Sequence, residues 1–297
     1  MAYVMDISFD NSCRLARKTY LFEYQGVRFK LVQDEPRKWA DHLMTIVPSV
    51  DGPESDRAFT AGSEFVSALG WELRSSVAVW ESGGRGWPDP LPLSQVKPSI
   101  FTFPRVPFRG NVIGYDLRRL PNVRTNEQRI ALALFREATA SNSIYLSFLF
   151  YWQILEVGGG NPIRFVNRTL RRQPAGFHID PRVIAQLPTG SRSLGVYLSD
   201  DCRHAIAHIR RTPGKRALGL DRREERLHLA ISAGVIKTFA EHYIREKLQL
   251  KDSLHLVRLA PRGFPTFVDT ATLHSHVWRA YAAPRLDRIF GKSRGKR

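Results

Sequence analysis

Residues 144–157 constrain the fold of this chain more than any other segment, because they are apolar almost all round. Ser147, Gln153 and Glu156 are the polar interruptions. A helix that crosses a bilayer needs about 20 apolar residues, so this segment is too short to span a membrane. A helix at the surface of a globular protein is apolar on one face only. The segment therefore predicts a helix that is enclosed by other helices or by a second subunit.

The sequence on both sides of this segment also predicts helices. Thr125-Asn126-Glu127-Gln128 has the pattern of a capping box, in which the Gln128 side chain reaches back to the Thr125 amide. A stripe at helical spacing follows the box, formed by Ile130, Leu134, Phe135 and Ala138. A short basic segment begins at Asn161-Pro162, and two strong helices are predicted after it, at about 194–211 and 222–249.

The first 120 residues have a different pattern, which predicts a mixed α+β domain. Residues 20–32 alternate across a Gln25-Gly26 turn, as in a β-hairpin. Apolar residues recur at helical spacing through 56–73, and 77–80 has the pattern of a strand that a glycine- and proline-rich loop follows. The predicted fold class is α+β. Its predicted domains are a mixed α+β domain at 1–120, an all-α helical bundle at 121–252, and a C-terminal extension with a basic tail at 253–297.

The charge of the chain is concentrated in its C-terminal part. The net charge is +17. Residues 1–120 carry 15 Lys and Arg against 14 Asp and Glu, whereas residues 121–297 carry 30 against 14. A neutral part joined to a strongly basic part predicts a polyanionic partner such as RNA for the basic part. A solvated basic face without a specific partner is the alternative.

The chain has few features of a secreted or metal-binding protein. Its N-terminus lacks the charged and apolar regions of a signal peptide. Cys13 and Cys202 have no spacing typical of a disulfide scaffold or a zinc site. We therefore expect a cytoplasmic protein without a membrane partner, a cofactor or a bound metal.

The pattern Arg-x4-His occurs at three places, which are Arg37/His42, Arg203/His208 and Arg223/His228. Such a short pattern arises easily by chance, so only its context can distinguish the three. Arg37/His42 follows a proline in a charged turn. Arg223/His228 lies among Arg and Glu residues that can satisfy one another on a solvated helix face.

The context of Arg203/His208 is more specific. At about 100° per residue, one arc of an α-helix here is apolar and would face the core; it contains Leu198, Cys202, Ala205, Ile206 and Ile209. The opposite side contains Asp200, Arg203, His204, Ala207, His208 and Arg211. Arg203 and His208 flank the small Ala207, so both side chains could reach a ligand that lies over this alanine.

Residues 203–208, with the sequence Arg-His-Ala-Ile-Ala-His, resemble the R-x4-6-H signature of the HEPN superfamily (higher eukaryotes and prokaryotes nucleotide-binding). Residues 134–138 and 151–156 are similar to the paired helices that precede this motif in bacterial members, so the resemblance covers about 125–250. His204 stands where members often have Asn or Asp. More loosely, the layout resembles bacterial methylamine-utilisation accessory proteins of the MauJ type.

The HEPN resemblance implies metal-independent cleavage of single-stranded RNA at the interface of a homodimer. In this chemistry His208 takes the proton of the ribose 2′-hydroxyl, and Arg203 stabilises the charge that builds on the phosphate oxygens. His204 or Asp200 would orient these groups. Arg210 and Arg211 are weaker candidates for contacts with RNA.

Other interpretations of the same residues remain open. Many HEPN proteins are non-catalytic modules that bind nucleotides or RNA, or that dimerise, in an accessory or regulatory role. His208 could be a structural histidine, with Arg203 paired to Asp200 or Asp201. The N-terminal domain could bind a ligand or a protein partner, but its sequence does not indicate which.

Overall fold

The computed structural model describes residues 2–11, 15, 18–33, 41–49, 51–73, 77–87, 92–97, 119–207, 223–250, 253–255 and 257–258. The chain divides into two compact units. The first contains residues 1–59, 81–119 and 255–297, and the second contains 60–80 and 120–254. An antiparallel sheet dominates the first unit and helices dominate the second, so the predicted α+β class is confirmed. The predicted domain boundaries stay a prediction.

The sheet of the first unit has six strands in the order β5-β1-β4-β3-β2-β8. The six strands of this sheet are β1 (Ala2–Asn11), β2 (Thr19–Tyr24), β3 (Val27–Val32), β4 (Asp41–Val47), β5 (Val77–Trp87) and β8 (Val257–Arg258). The sheet is buried on both faces. Phe22, Phe29 and Leu31 are buried on one face, and on the other Val4 and Met44 form a buried cluster with Val96. A second, two-stranded sheet joins β6 (Arg119–Pro121) to β7 (Ser253–His255).

The predicted hairpin is confirmed as β2 and β3. Tyr24 pairs with Val27 across the turn, and both turn residues have positive φ, 52° at Gln25 and 70° at Gly26. Positive φ at both central positions is the geometry of a type I′ turn, whose twist matches that of the flanking strands. The Gln25-Gly26 sequence thus fixes the register that turns Phe29 and Leu31 to the core.

The predicted glycine-rich loop after residue 80 is partly wrong, because β5 continues through Gly83, Gly84 and Gly86 to Trp87. Glycine weakens a strand but does not remove the backbone groups that form the ladder. β5 is also the edge strand of its sheet, so only one side of it must pair. Side-chain pattern alone therefore ended the predicted strand too early.

Helices form the second unit. They are the C-terminal part of α1 (Pro53–Leu73), then α2 (Asn126–Ala140), α3 (Ile144–Glu156), α4 (Pro162–Arg172), α5 (Pro181–Ala185), α6 (Leu194–Tyr197), α7 (His204–Ala207) and α8 (Arg223–Glu246). The predicted capping box is present, since the Gln128 amide donates to Thr125 Oγ1 at 3.2 Å and the Thr125 amide donates to Gln128 Oε1 at 3.1 Å. The helices predicted at 144–157 and 222–249 are confirmed as α3 and α8.

The core of the helical unit is built around α3, which packs against α2 and α8. Phe135 contacts Trp71 edge-on at 5.0 Å between ring centroids and Tyr151 at 5.8 Å. Phe148, Ile154 and Leu155 of α3 are fully buried. One face of α3 nevertheless remains partly open, and Leu146 on this face is 48% exposed. The second unit alone therefore does not enclose α3 completely.

Candidate functional site

The helix that carries the Arg203 motif is not the uniform α-helix that the sequence predicted. A π-helical turn, Leu198–Arg203, joins α6 to α7, and the His204 amide at its end donates to the Ser199 carbonyl. A π turn lets one extra residue into the helix, and such turns are frequent at functional sites. The wide turn ends at Arg203, the predicted site residue.

Burial in this helix agrees with the predicted division into an inner and an outer side. Leu198, Cys202 and Ala205 are buried. Arg203 is half-buried, whereas three neighbours are exposed, namely Asp200, His204 and Ala207. The backbone of the π turn thus keeps Arg203 at the boundary between core and solvent, where its stem can pack while its guanidinium reaches a ligand.

Two neighbours hold the Arg203 guanidinium. Nη2 lies 3.8 Å from Glu156 Oε1 at the end of α3, and Nη1 lies 3.3 Å from His204 Nδ1. A guanidinium can only donate, so His204 Nδ1 is the acceptor when the two groups are hydrogen-bonded. Glu156 Oε1 also accepts a hydrogen bond from Trp152 Nε1 at 2.8 Å. Because Trp152 is buried, this bond fixes the carboxylate that faces Arg203.

The two aspartates that precede Arg203 have different surroundings. Asp201 forms an ion pair with Arg192, and Asp200 is exposed. The carboxylate that faces the Arg203 guanidinium in the described structure is that of Glu156. Sequence reasoning missed Glu156, because it lies on a different helix and only tertiary packing brings it to the motif.

Three predicted site residues, His208, Arg210 and Arg211, lie outside the described residues. The structure brings together Arg203 and His204, and it places Asp200 on the same exposed side. The pairing of Arg203 with His208 as catalytic residues therefore stays a prediction.

The two other Arg-x4-His patterns have different surroundings from those predicted. His42 does not lie in a charged turn: it belongs to β4, is 8% exposed, and places Nδ1 3.0 Å from Asp6 Oδ1 in the sheet. Arg37 lies outside the described residues. His228 is partly buried and lines a cavity, whereas the sequence predicted a solvated face.

That cavity, of about 230 Å³, lies between the motif-bearing helix and α8. Its lining consists of Pro188, Arg192, Tyr197, Asp201, Cys202, Glu225, His228 and Leu229. Burial raises the pKa of the Tyr197 phenol, and the nearby Cys202 acts in the same direction. Cys202 Sγ lies 3.6 Å from Ser232 Oγ. This cavity has no local sequence signal, because its walls come from separate segments that meet only on folding.

Metal-binding and membrane-spanning features are absent from the part of the chain that the structure describes. Within it, no three His, Cys, Asp or Glu side chains are grouped so that they could hold a metal ion. No helix within those same ranges has the length and apolar character that a bilayer crossing requires.

Fold and site together define an α+β protein whose helical unit presents an arginine, held by a carboxylate, at the end of a π turn. Residues 131–245 match the family model of methylamine utilization protein MauJ. The match runs from α2 into α8 and includes Arg203, so the predicted MauJ-like resemblance is confirmed for this stretch. No curated protein and no solved structure matches the chain. Membership of the HEPN superfamily stays a prediction.

Proposed function

We propose that the chain is a HEPN-type, metal-independent endoribonuclease that acts as a homodimer on single-stranded RNA, with Arg203 and His208 as its catalytic pair. One observation carries this proposal: the Arg203 guanidinium lies half-exposed at the end of a π turn, where it contacts the Glu156 carboxylate at the long distance of 3.8 Å and the His204 ring at 3.3 Å. A cation held in this way can exchange its carboxylate for a phosphate oxygen. Guanidinium suits this role because it binds two oxygens at once.

The proposed reaction needs two protein groups. His208 takes the proton from a ribose 2′-hydroxyl, and the freed oxygen attacks the adjacent phosphorus. The bond from phosphorus to the 5′ oxygen breaks, and that oxygen leaves as a 5′-hydroxyl after it takes up a proton. Arg203 stabilises the negative charge on the phosphate oxygens throughout. The products are a 2′,3′-cyclic phosphate and a 5′-hydroxyl, so atoms and charge balance without a metal.

The partly open face of α3 supports a homodimer. Leu146 is 48% exposed, and Leu149 and Phe150 are only partly buried. The same side of α3 continues past the exposed Gln153 to Glu156, which contacts Arg203. A second copy that packed its own α3 here would cover the apolar side chains and bring two Arg203 sites close to one interface.

A non-catalytic module is the second candidate, and one contact favours it. Glu156 stands opposite Arg203, so in the free protein the cation is partly neutralised. A binding or dimerisation module would keep Arg203 for this ion pair and for packing. The N-terminal unit would then bind a ligand or a protein partner on behalf of an accessory or regulatory protein.

Cleavage of RNA in EDTA tests the enzyme against the module. We expect wild-type protein to cut single-stranded RNA and to leave 2′,3′-cyclic phosphate ends. Arg203→Ala and His208→Ala should each lower the rate by about 10² to 10⁴. Arg226→Ala and His178→Ala, which change exposed residues of the same types, should leave the rate unchanged. If the wild-type protein binds RNA but does not cut it, the non-catalytic binding module is the correct interpretation.

A further inference from the structure

The solvent face of α4 carries a stripe of four arginines, Arg164, Arg168, Arg171 and Arg172, called here the α4 arginine stripe. All four side chains are exposed. At about 100° per residue they fall within a roughly 100° arc, and they extend over about 12 Å of helix. The opposite face of α4 is apolar, where Phe165, Val166 and Thr169 are buried.

No acidic group of the described structure neutralises this stripe. The sequence has no Asp or Glu between Glu156 and Asp180. None of the four guanidinium groups forms an ion pair or a hydrogen bond with another described residue. Elsewhere in the same unit arginines are paired, as Arg129 is with Glu64 and Arg192 with Asp201. The stripe is therefore a patch of unneutralised positive charge and not part of a surface in which acidic and basic groups alternate.

Helix stability does not explain the stripe. The negative end of the helix dipole favours cations in the last turn, which accounts for Arg171 and Arg172. Arg164 lies in the first turn, where its amide donates to the N-cap Asn161. A cation there faces the positive end of the dipole, an unfavourable position. A binding role explains all four positions together.

The chemistry of the stripe fits a nucleic-acid backbone. Arg164, Arg168 and Arg172 recur at intervals of about 6 Å along the helix axis, so each can meet a different phosphate of one strand. A helix that lies in a membrane surface needs an apolar face to insert into lipid. The apolar face of α4 is already used, because Phe165 packs against Tyr243 at 5.0 Å between ring centroids.

The stripe is fixed relative to the Arg203 helix within the same unit. Asn167 of α4 donates from Nδ2 to Ser193 Oγ at 2.9 Å, and its Oδ1 accepts from the Gly195 amide at 2.9 Å. Gly195 allows this approach, since a Cβ there would lie 2.7 Å from the Ile163 carbonyl oxygen. α4 and the start of the motif-bearing helix thus pack closely enough to move as one body.

We propose that the α4 arginine stripe binds the phosphodiester backbone of single-stranded RNA and positions the strand with respect to Arg203. The inference deepens the proposed function, because it identifies the surface that holds the substrate. It concerns binding only, so it can hold even where no RNA is cut.

The experiment compares two triple variants of the full chain that remove the same charge. The stripe variant is Arg164→Gln, Arg168→Gln and Arg172→Gln. The control variant is Arg124→Gln, Arg226→Gln and Lys247→Gln, at three exposed positions of the same unit. The probe is a fluorescent 2′-O-methyl oligouridine, which cannot be cleaved through the 2′-oxygen, and anisotropy is measured over a range of salt. Circular dichroism checks that both variants keep their helices.

We expect the stripe variant to bind on the order of 10- to 100-fold more weakly, with a salt slope reduced by about 2, since each phosphate contact with a single strand contributes about 0.7. The control variant should bind almost as tightly as wild type. Equal losses of oligouridine affinity in both variants would overturn the stripe as an RNA site. Binding to vesicles of anionic lipid is measured in parallel, and a stripe variant that loses affinity for the vesicles but not for the oligouridine would also overturn it. A stripe variant that binds the oligouridine as tightly as wild type would overturn it as well. The cleavage of RNA in EDTA tests Arg203 separately.

Discussion

Glu156 controls the charge that Arg203 offers to a ligand. Its carboxylate lies 3.8 Å from the guanidinium, and the two side chains are 40% and 31% exposed. An ion pair with this exposure contributes less than about 1 kcal/mol. A phosphate that approaches Arg203 can therefore displace it at little cost. Under the proposed function, the carboxylate competes with RNA for the same cation.

Glu156→Gln should strengthen RNA binding severalfold if Arg203 binds phosphate. The substitution removes the competing charge, while the amide oxygen can still accept the hydrogen bond from Trp152. Anisotropy with the uncleavable oligouridine measures the gain. The same substitution in an Arg203→Ala background is the control, and there the gain should disappear. An equal gain in both backgrounds would show that Glu156 acts on RNA independently of Arg203.

His242 predicts how stability depends on pH. Burial lowers the pKa of this ring, which lies against Phe165 and Phe177, and Arg245 also lowers it while Glu246 acts in the opposite direction. The unfolded chain therefore binds a proton at higher pH than the folded chain does. The contribution of the neutral His242 ring to the free energy of unfolding is therefore fully present above pH 6.5, and it is lost as the pH falls through the lowered pKa.

His242→Gln should reduce the loss of stability between about pH 7.5 and pH 5.5 relative to wild type, because the glutamine does not titrate. Urea unfolding at a series of pH values measures the difference between the two proteins. A substitution at the exposed His178 is the matched control and should leave the pH dependence as it is in wild type. A steeper loss in His242→Gln would show that the sign is wrong.

The start of α2 gives a prediction at the scale of an element. The Gln128 side chain is buried, and it serves three backbone groups: Oε1 accepts from the Arg124 and Thr125 amides, and Nε2 donates to the Leu248 carbonyl. Thr125→Ala should cost about 1 kcal/mol of unfolding free energy as a lost N-cap. Gln128→Ala should cost more, about 1–3 kcal/mol, because it leaves buried polar groups without partners. Urea unfolding tests this order, and a costlier Thr125→Ala would contradict it.

The elements that the sequence predicts well are those with local signals. The capping box depends on residues three positions apart, and the hairpin depends on two turn residues between its strands. The π turn has no such signal. The His204 amide bonds to Ser199, five residues earlier, whereas helical periodicity in the sequence predicts the α-helical bond to the residue four earlier.

The candidate site follows the same division. The exposed side of Arg203, His204 and Asp200 could be predicted, because helix periodicity decides it. Glu156 and the cavity at His228 could not, because each joins segments far apart in sequence. Of the α4 arginine stripe, only a short basic segment was predicted, since a sequence does not show which charges lack a partner after folding.

At the scale of the whole molecule, the open face of α3 predicts the assembly. Leu146→Lys should convert a homodimer to a monomer, because a charge at the centre of an apolar interface stays unpaired there. Light scattering over a range of concentration measures the mass. Ile130→Lys is the control, since Ile130 is a comparably exposed apolar residue on α2, 43% against 48%. A monomeric wild type, or a dimer that Leu146→Lys leaves intact, would refute this assembly.

The hydrogen bond from Gln128 to Leu248 also has a consequence for how the chain is made. It joins residues 120 positions apart, which places the first helix of the match to MauJ in contact with the segment that follows the last. During synthesis, α2 emerges long before α8 and must wait for its partner. Contacts between such distant residues slow folding, because the loop must close before they form. A chain truncated shortly before residue 248 should therefore aggregate through its unpacked helices and should not form a stable fragment.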